Sequence, residues 1–167
     1  MPNDQPKLSR SRNDLKDNTK KTSIAVLSGC VIDGIDLYNA TRHAHWNVKG
    51  PHFHALHTLF ETFYGQLATD IDEMAERLVQ LGGTAMGTSQ SVTGGTRLPA
   101  YPTDLKAGMG HVAALLDRYT VVARTVREGI DQTDAAGDAD TADLLTGVSQ
   151  NLDKAVWMME ATASDEH

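Results

Sequence analysis

Between residues 53 and 78, apolar side chains recur at Phe53, Leu56, Phe60, Phe63, Leu67, Ile71, Met74 and Leu78, in steps of three and four that trace one face of a helix. Gly82 and Gly83 supply its end, because glycine accepts the left-handed cap without a Cβ penalty. The predicted helix has about 28 residues and is roughly 40 Å long. A rod of that length cannot bury one apolar face by itself. It needs neighbours of similar length.

The chain offers three. Upstream, Ile24, Leu27, Val31, Ile35, Tyr38 and Val48 predict a first helix ending near Lys49, where Gly50 and Pro51 stop it. Downstream, Thr103 is placed to cap a third helix that buries Leu105, Met109, Val112, Leu116, Tyr119, Val122 and Val126 and stops near Gly129 or Ile130. The segment 131–140, DQTDAAGDAD, reads as an acidic turn, and Leu145, Val148, Leu152, Val156 and Met159 form the apolar face of a fourth helix. Residues 83–103 are rich in Gly, Ser, Thr and Pro. At about 21 residues this connection exceeds most loops, so it contains a short helix or spans a bundle from end to end. Strand alternation, hairpin signals and internal repeats do not occur. The fold class is therefore all-α, a four-helix bundle with a long crossover between its second and third helices, the connectivity of ferritin-like folds.

Length and charge bound the rest. A chain of 167 residues is enough for one domain and short for two. With 40% hydrophobic and 22% charged residues, it has the balance of a folded globular chain. No apolar run is long enough for a membrane span, and the polar start MPNDQPKLSRSRNDLK lacks the apolar centre of a secretory signal. The expected location is the cytoplasm, which agrees with a single cysteine, Cys30, on an apolar helix face where thiols are usually inert. Net charge is −7. Residues 1–21 carry Lys7, Arg10, Arg12, Lys16, Lys20 and Lys21 against Asp4, Asp14 and Asp17, a balance of +3 that leaves −10 for the remainder. The expected organisation is a flexible, polar and basic arm over 1–20 and a bundle domain over 21–164. An acidic body attracts cations and repels nucleic acid, whereas the arm can contact an anionic polymer or simply be solvated.

The chemistry-bearing residues concentrate between Arg42 and Arg77, which hold five of the seven histidines. His57 and Glu61 are four apart, as are Asp72 and Glu76, so each pair projects from one side of a helix. His45 precedes them on the first helix. Imidazole with several carboxylates suits iron, zinc or manganese better than copper(I) or an iron–sulfur cluster. His57 and Asp72 are separated by about 22 Å along one helix, so they cannot hold the same ion. Fifteen residues nevertheless amount to four turns and about 60°, so both pairs look out over nearly one face. Two copies packed antiparallel about a two-fold axis would bring His57 and Glu61 of one chain against Asp72 and Glu76 of the other. A centre within one bundle would need Glu-x-x-His steps on two helices, and the third and fourth helices offer only scattered acids and His111.

The motifs AHWNVKG at 44–50, DIDEMAERLVQLGG at 70–83, DRYTVVARTVR at 117–127 and DTADLLTGVSQNLDKAVWMME at 140–160, with His57 followed by an acid four residues later, make the chain resemble the Dps proteins. These DNA-binding proteins from starved cells are miniature ferritins. The resemblance runs over nearly the whole chain from about Arg12. It implies a homo-oligomer, a hollow dodecamer with ferroxidase sites at its two-fold interfaces. It also implies oxidation of Fe(II), typically with hydrogen peroxide rather than O₂, and storage of a ferric mineral. By motif, His45, His57 and Glu61 come from one subunit and Asp72 and Glu76 from its neighbour, with zinc as a substitute ion. The family usually has Asp at the position of Glu61. Binding of DNA through the arm, with association to the nucleoid, would follow from the same resemblance. It gives Trp46 and Trp157 a role as electron donors near the site, against which stands core packing. His43, His52 and His54 have no counterpart and read as surface or packing residues. Asp131, Asp134, Asp138, Asp140 and Asp143 fit either an acidic pore at a three-fold axis or, for Asp138 and Asp140, a helix cap.

Overall fold

The computed structural model describes residues 8–164. Five helices follow in order, α1 (Asp17–Asn47), α2 (Phe53–Gln80), α3 (Ser89–Gly95), α4 (Gly108–Ala135) and α5 (Ala139–Ala163). Among the described residues the sole strand-like pairing is an isolated parallel bridge between Lys49 and Ala107. The four long helices form the bundle, with α1 against α2 and α4 against α5 as its two hairpins and α1 against α4 across it. Leu27, Leu37, Phe60, Leu78, Leu115, Tyr119, Leu145, Leu152 and Met159 are almost wholly buried at its centre. The short α3 lies in the crossover and rests on α1. Arg97 ties it there: the Arg97 backbone N–H and Nε donate to the two oxygens of Asp33, at 2.9 and 2.7 Å. No helix among the described residues is long and apolar enough to cross a membrane.

Several expected boundaries move, each for a local reason. Helix α1 starts at Asp17 rather than at residue 21, so Lys20 and Lys21 are helical. The arm is thus shorter than 1–20, and residues 8–16 run along the end of α2. There the Ser9 N–H donates to the Gly82 carbonyl at 2.8 Å and the Ser11 hydroxyl to the Gln80 carbonyl at 3.0 Å. Gly82 sits at φ 93°, and a Cβ there would lie 2.7 Å from the Ser9 carbonyl oxygen, so glycine serves both the cap and the close approach. The remainder of the arm, with Lys7, lies outside the described residues.

Thr103 does not cap α4. The Lys106 carbonyl is taken by the Lys49 N–H at 2.9 Å, which holds the chain extended until Gly108. Met109, expected in the core, is 40% exposed. At the other end, Gly129 is no stop. It is buried inside α4, where a Cβ would meet Val26 of α1 at 2.8 Å and Leu145 of α5 at 3.3 Å, so its smallness lets three helices approach. The helix continues to Ala135 and ends at Gly137, φ 86°, with Asp138 N–H bonded to the Thr133 carbonyl. The acidic turn is therefore three residues long, 136–138.

Candidate metal centre

The turn between α1 and α2 brings His45 and His57 face to face. Their rings stack with centroids 3.7 Å apart and 21° between planes. Each ring also bonds to the other residue's backbone: His45 Nδ1 lies 2.8 Å from the His57 carbonyl oxygen, and His57 Nδ1 lies 2.9 Å from the His45 carbonyl oxygen. A carbonyl only accepts, so each Nδ1 carries the proton and donates. In the neutral rings this leaves both Nε2 atoms with lone pairs, the tautomer in which histidine ligates a metal. A single reciprocal arrangement therefore fixes ring orientation and donor atom together. Tyr64 closes one side, its ring edge-on to His45 at 5.3 Å, and Phe53 packs on His57 at 5.1 Å.

Glu61 lies one turn beyond His57 on α2 and is exposed. Asp72 and Glu76 are also exposed, four turns along the same unbroken helix. Among the described residues no three His, Cys, Asp or Glu side chains converge on one point. The predicted ligands thus fall into two groups, His45 with His57 and Glu61, and Asp72 with Glu76, which one chain does not unite. The rise of about 1.5 Å per residue still separates them by about 22 Å.

The other singled-out residues divide sharply. Asp138 belongs to the fold: it caps α5 through the Thr141 N–H at 3.1 Å, accepts from the Thr141 and Ser23 hydroxyls at 2.6 Å each, and pairs with Arg77 at 2.7 Å. Burial pushes its carboxyl up, but the bonds from Ser23, Thr141 and Arg77 outweigh that and hold it below the usual carboxylate range. It lines no pore. Asp131, Asp134, Asp140 and Asp143 are exposed. Trp46 and Trp157 are each 63% exposed, which removes the core-packing account within one chain. The Arg42 guanidinium covers one Trp46 face at 4.7 Å and also reaches Tyr38 and Tyr64. His52 and His54 are exposed, whereas His43 is half-buried and packs edge-on against Tyr101. Cys30 is buried, which raises its thiol to about 11 and keeps it unreactive.

Sequence reasoning missed Tyr64 and the Tyr101–His111 pair. Tyr64 was within reach, since it lies seven residues after His57 and so on the same helix face. The Tyr101 hydroxyl meets His111 Nδ1 at 2.7 Å across the crossover, and burial with the neighbouring His43 lowers the pKa of His111. No local pattern announces that contact.

Known proteins share this fold. The ferritin-like domain family matches residues 31–166. A DNA protection during starvation protein of Agrobacterium fabrum is 46% identical over 160 residues, covering 96% of this chain and 99% of its own length. A second protein of that name, from Bacillus anthracis, is 34% identical over 84% of this chain and 96% of its own length. Among solved structures, DpsC from Streptomyces coelicolor superposes with a TM-score of 0.92 at 25% identity, over 96% of this chain and 94% of its own. Dps from Vibrio cholerae, described as a member of a broad superfamily of ferritin-like diiron-carboxylate proteins, gives 0.88 at 25% identity, over 95% and 99%.

Proposed function

Because the chain belongs to the Dps family of ferritin-like proteins, we propose that it oxidises Fe(II) at di-iron sites shared between subunits and stores the ferric product inside a hollow dodecamer. His45, His57 and Glu61 serve one side of each site, and Asp72 and Glu76 of a two-fold related subunit serve the other. The observation that carries this reading is the reciprocal His45–His57 hydrogen bonding, which prepares two nitrogen donors with no metal required to order them. The exposure of Glu61, Asp72 and Glu76 supports it as well, since unpaired carboxylates on one helix face are available to a neighbour and to cations.

In this scheme Fe(II) is the substrate. Two Fe(II) ions each give one electron to one hydrogen peroxide, which with two protons leaves as two waters, so no hydroxyl radical is released. Carboxylates favour the more highly charged Fe(III) product, and the imidazoles hold Fe(II) without adding charge. Hydrogen peroxide is the preferred oxidant and O₂ the slower one. Zinc, which shares the ligand preference but has no redox chemistry, occupies the same donors and blocks turnover. The setting is the cytoplasm, with the nucleoid added if DNA is bound.

Replacing His57 and Glu61 together by Ala should lower peroxide-dependent iron oxidation by at least about 100-fold, or about 2.7 kcal/mol. The measurement is optical, on the assembled protein, with each oxidant, alongside its size in solution. An intact assembly with unchanged kinetics would end the proposal.

Compaction of DNA is the second reading, favoured by the exposed Arg10, Arg12, Lys16 and Lys21. Lys20 is withdrawn from it, being buried with its ammonium donating to the Asn13 carbonyl. Gel retardation at low and physiological salt, with and without residues 1–16, tests this role. Loss of a shift on truncation supports it, and no shift in either buffer removes it.

A further inference from the structure

One side of α2 faces away from the bundle along the whole helix. Phe53, Glu61, Gly65, Ala68, Asp72 and Val79 are all exposed there, at helical spacing. Three features of this side have no reason within the chain itself. Phe53, expected on the core face, is 44% exposed, with its ring against His57 at 5.1 Å. Glycine weakens the interior of a helix, yet a Cβ at Gly65 would meet nothing within 4 Å, so its own chain does not require it to be small. At the far end Val79, 55% exposed, lines a shallow groove of about 350 Å³ with Ala75, Gln80 and Ala85.

A second copy accounts for all three. The metal-site reading above, on which this inference rests, sets His57 and Glu61 of one subunit against Glu76 and Asp72 of the partner subunit. Two antiparallel helices about a two-fold axis share that register along their contact. Carried inward, it sets Gly65 against Ala68 of the partner subunit, so the smallest exposed residues meet at the axis, where small side chains let helices approach. Carried outward by one turn, it sets Phe53 opposite Gln80 of the partner subunit, which is part of the groove.

We propose that Phe53 of each subunit seats in the partner subunit's groove of Ala75, Val79, Gln80 and Ala85, with Gly65 and Ala68 at the two-fold axis between them. Each copy presents both the ring and the groove, as a self-complementary two-fold contact requires. Because Phe53 also packs on His57, its seating joins the interface to the histidine pair.

The test places Phe53→Cys and Val79→Cys in one full-length chain and treats the assembled protein with a short bis-maleimide. The two positions are about 39 Å apart on their own helix, so no link can form within a chain. Cys30 is buried and stays out of the reaction. Covalent dimers are expected on a denaturing gel, at a yield at least about tenfold above either single variant, and without a ladder of larger species because the contact closes on itself. Both positions are exposed, so neither change should unfold the chain. Phe53→Asp, which carries a charge into the groove, should weaken self-association at least about tenfold by sedimentation. No covalent dimer, an equal yield from a single variant, a ladder, or undiminished association of Phe53→Asp would overturn the proposal. A chain that stays monomeric would overturn it too and leave the groove to a different partner. Iron oxidation by the natural chain separates the two readings: dimers without oxidation support this contact and remove the metal-site reading, whereas oxidation without dimers overturns the contact alone.

Discussion

Helix α2 is anchored by buried polar groups at both ends, and the two anchors are built to opposite ends. Near its start, His45 and His57 each spend one ring nitrogen on a backbone carbonyl and keep the other. Near its finish, Arg77 Nε donates to the Thr141 hydroxyl, its NH2 to Asp138, and Asp138 has both oxygens occupied by Ser23, Thr141 and Arg77. One anchor leaves donor atoms for a ligand; the other leaves none. A buried polar cluster is thus a candidate site only when its hydrogen bonds do not close on themselves.

Breaking the closed anchor should have the largest effect on stability. Asp138→Ala strands the Arg77 guanidinium, the Ser23 hydroxyl and the α5 cap at once, so a loss of about 3–5 kcal/mol is expected in chemical unfolding. Iron oxidation per folded subunit should be retained. The same carboxyl gives a pH signature. It is held below its ordinary value of 3.8 in the folded chain, so its contribution is present above that pH and is lost as pH falls through the folded-state value. The stability gap between the natural chain and Asp138→Asn should stay level from pH 8 to 5 and narrow in more acidic solution. A gap that widened on acidification would reverse the assignment.

The open anchor should respond the other way. His45→Ala removes one hydrogen bond and one proposed ligand, while the His57 Nδ1–H keeps its partner because that partner is backbone. Stability should fall by about 1 kcal/mol. Peroxide-dependent iron oxidation should fall by about 100-fold, or about 2.7 kcal/mol in the barrier. Equal losses in both measurements would make the pair structural, like Arg77 and Asp138.

The contrast also explains what the sequence could and could not disclose. Helices with a repeating apolar face were legible because their pattern is local, and so were the ends at Gly50 and Gly82, which both adopt positive φ. The length of α2 was legible too, and with it the separation of the two proposed ligand pairs. Gly129 misled because a glycine that stops a helix and one that lets helices touch look alike in one dimension. Thr103 misled because the Lys49–Lys106 backbone bond that delays α4 joins residues more than fifty positions apart. Asp138 remained ambiguous for the same reason, its decisive partners Ser23 and Arg77 being distant in the chain. The histidines at 45 and 57 were readable as candidate ligands, but the reciprocal carbonyl bonds that orient their rings were not. Trp46 and Trp157 were open between two accounts, and their exposure leaves them available to a neighbouring subunit or to the site.

The smallest expected effect concerns Glu61, the one proposed ligand on the open side where the resemblance implies an aspartate instead. Neither the fold nor the histidine pair depends on it: its side chain is exposed, four residues beyond His57 on α2. The extra methylene shifts the carboxylate by about one carbon–carbon bond, and a displacement near 1 Å can change a reaction rate substantially by misplacing the reacting atoms. Glu61→Asp should leave stability unchanged to within about 0.5 kcal/mol, as for other exposed substitutions. The peroxide-dependent rate should change severalfold, corresponding to about 1 kcal/mol. Stopped-flow iron oxidation beside thermal unfolding measures both. A faster Asp variant would mean that the longer acid holds the ions off their best spacing, whereas a slower one would mean that the facing Asp72 and Glu76 are set to match it. Identical rates would show that Glu61 acts through its charge alone, and the geometry of the site would then rest on His45 and His57.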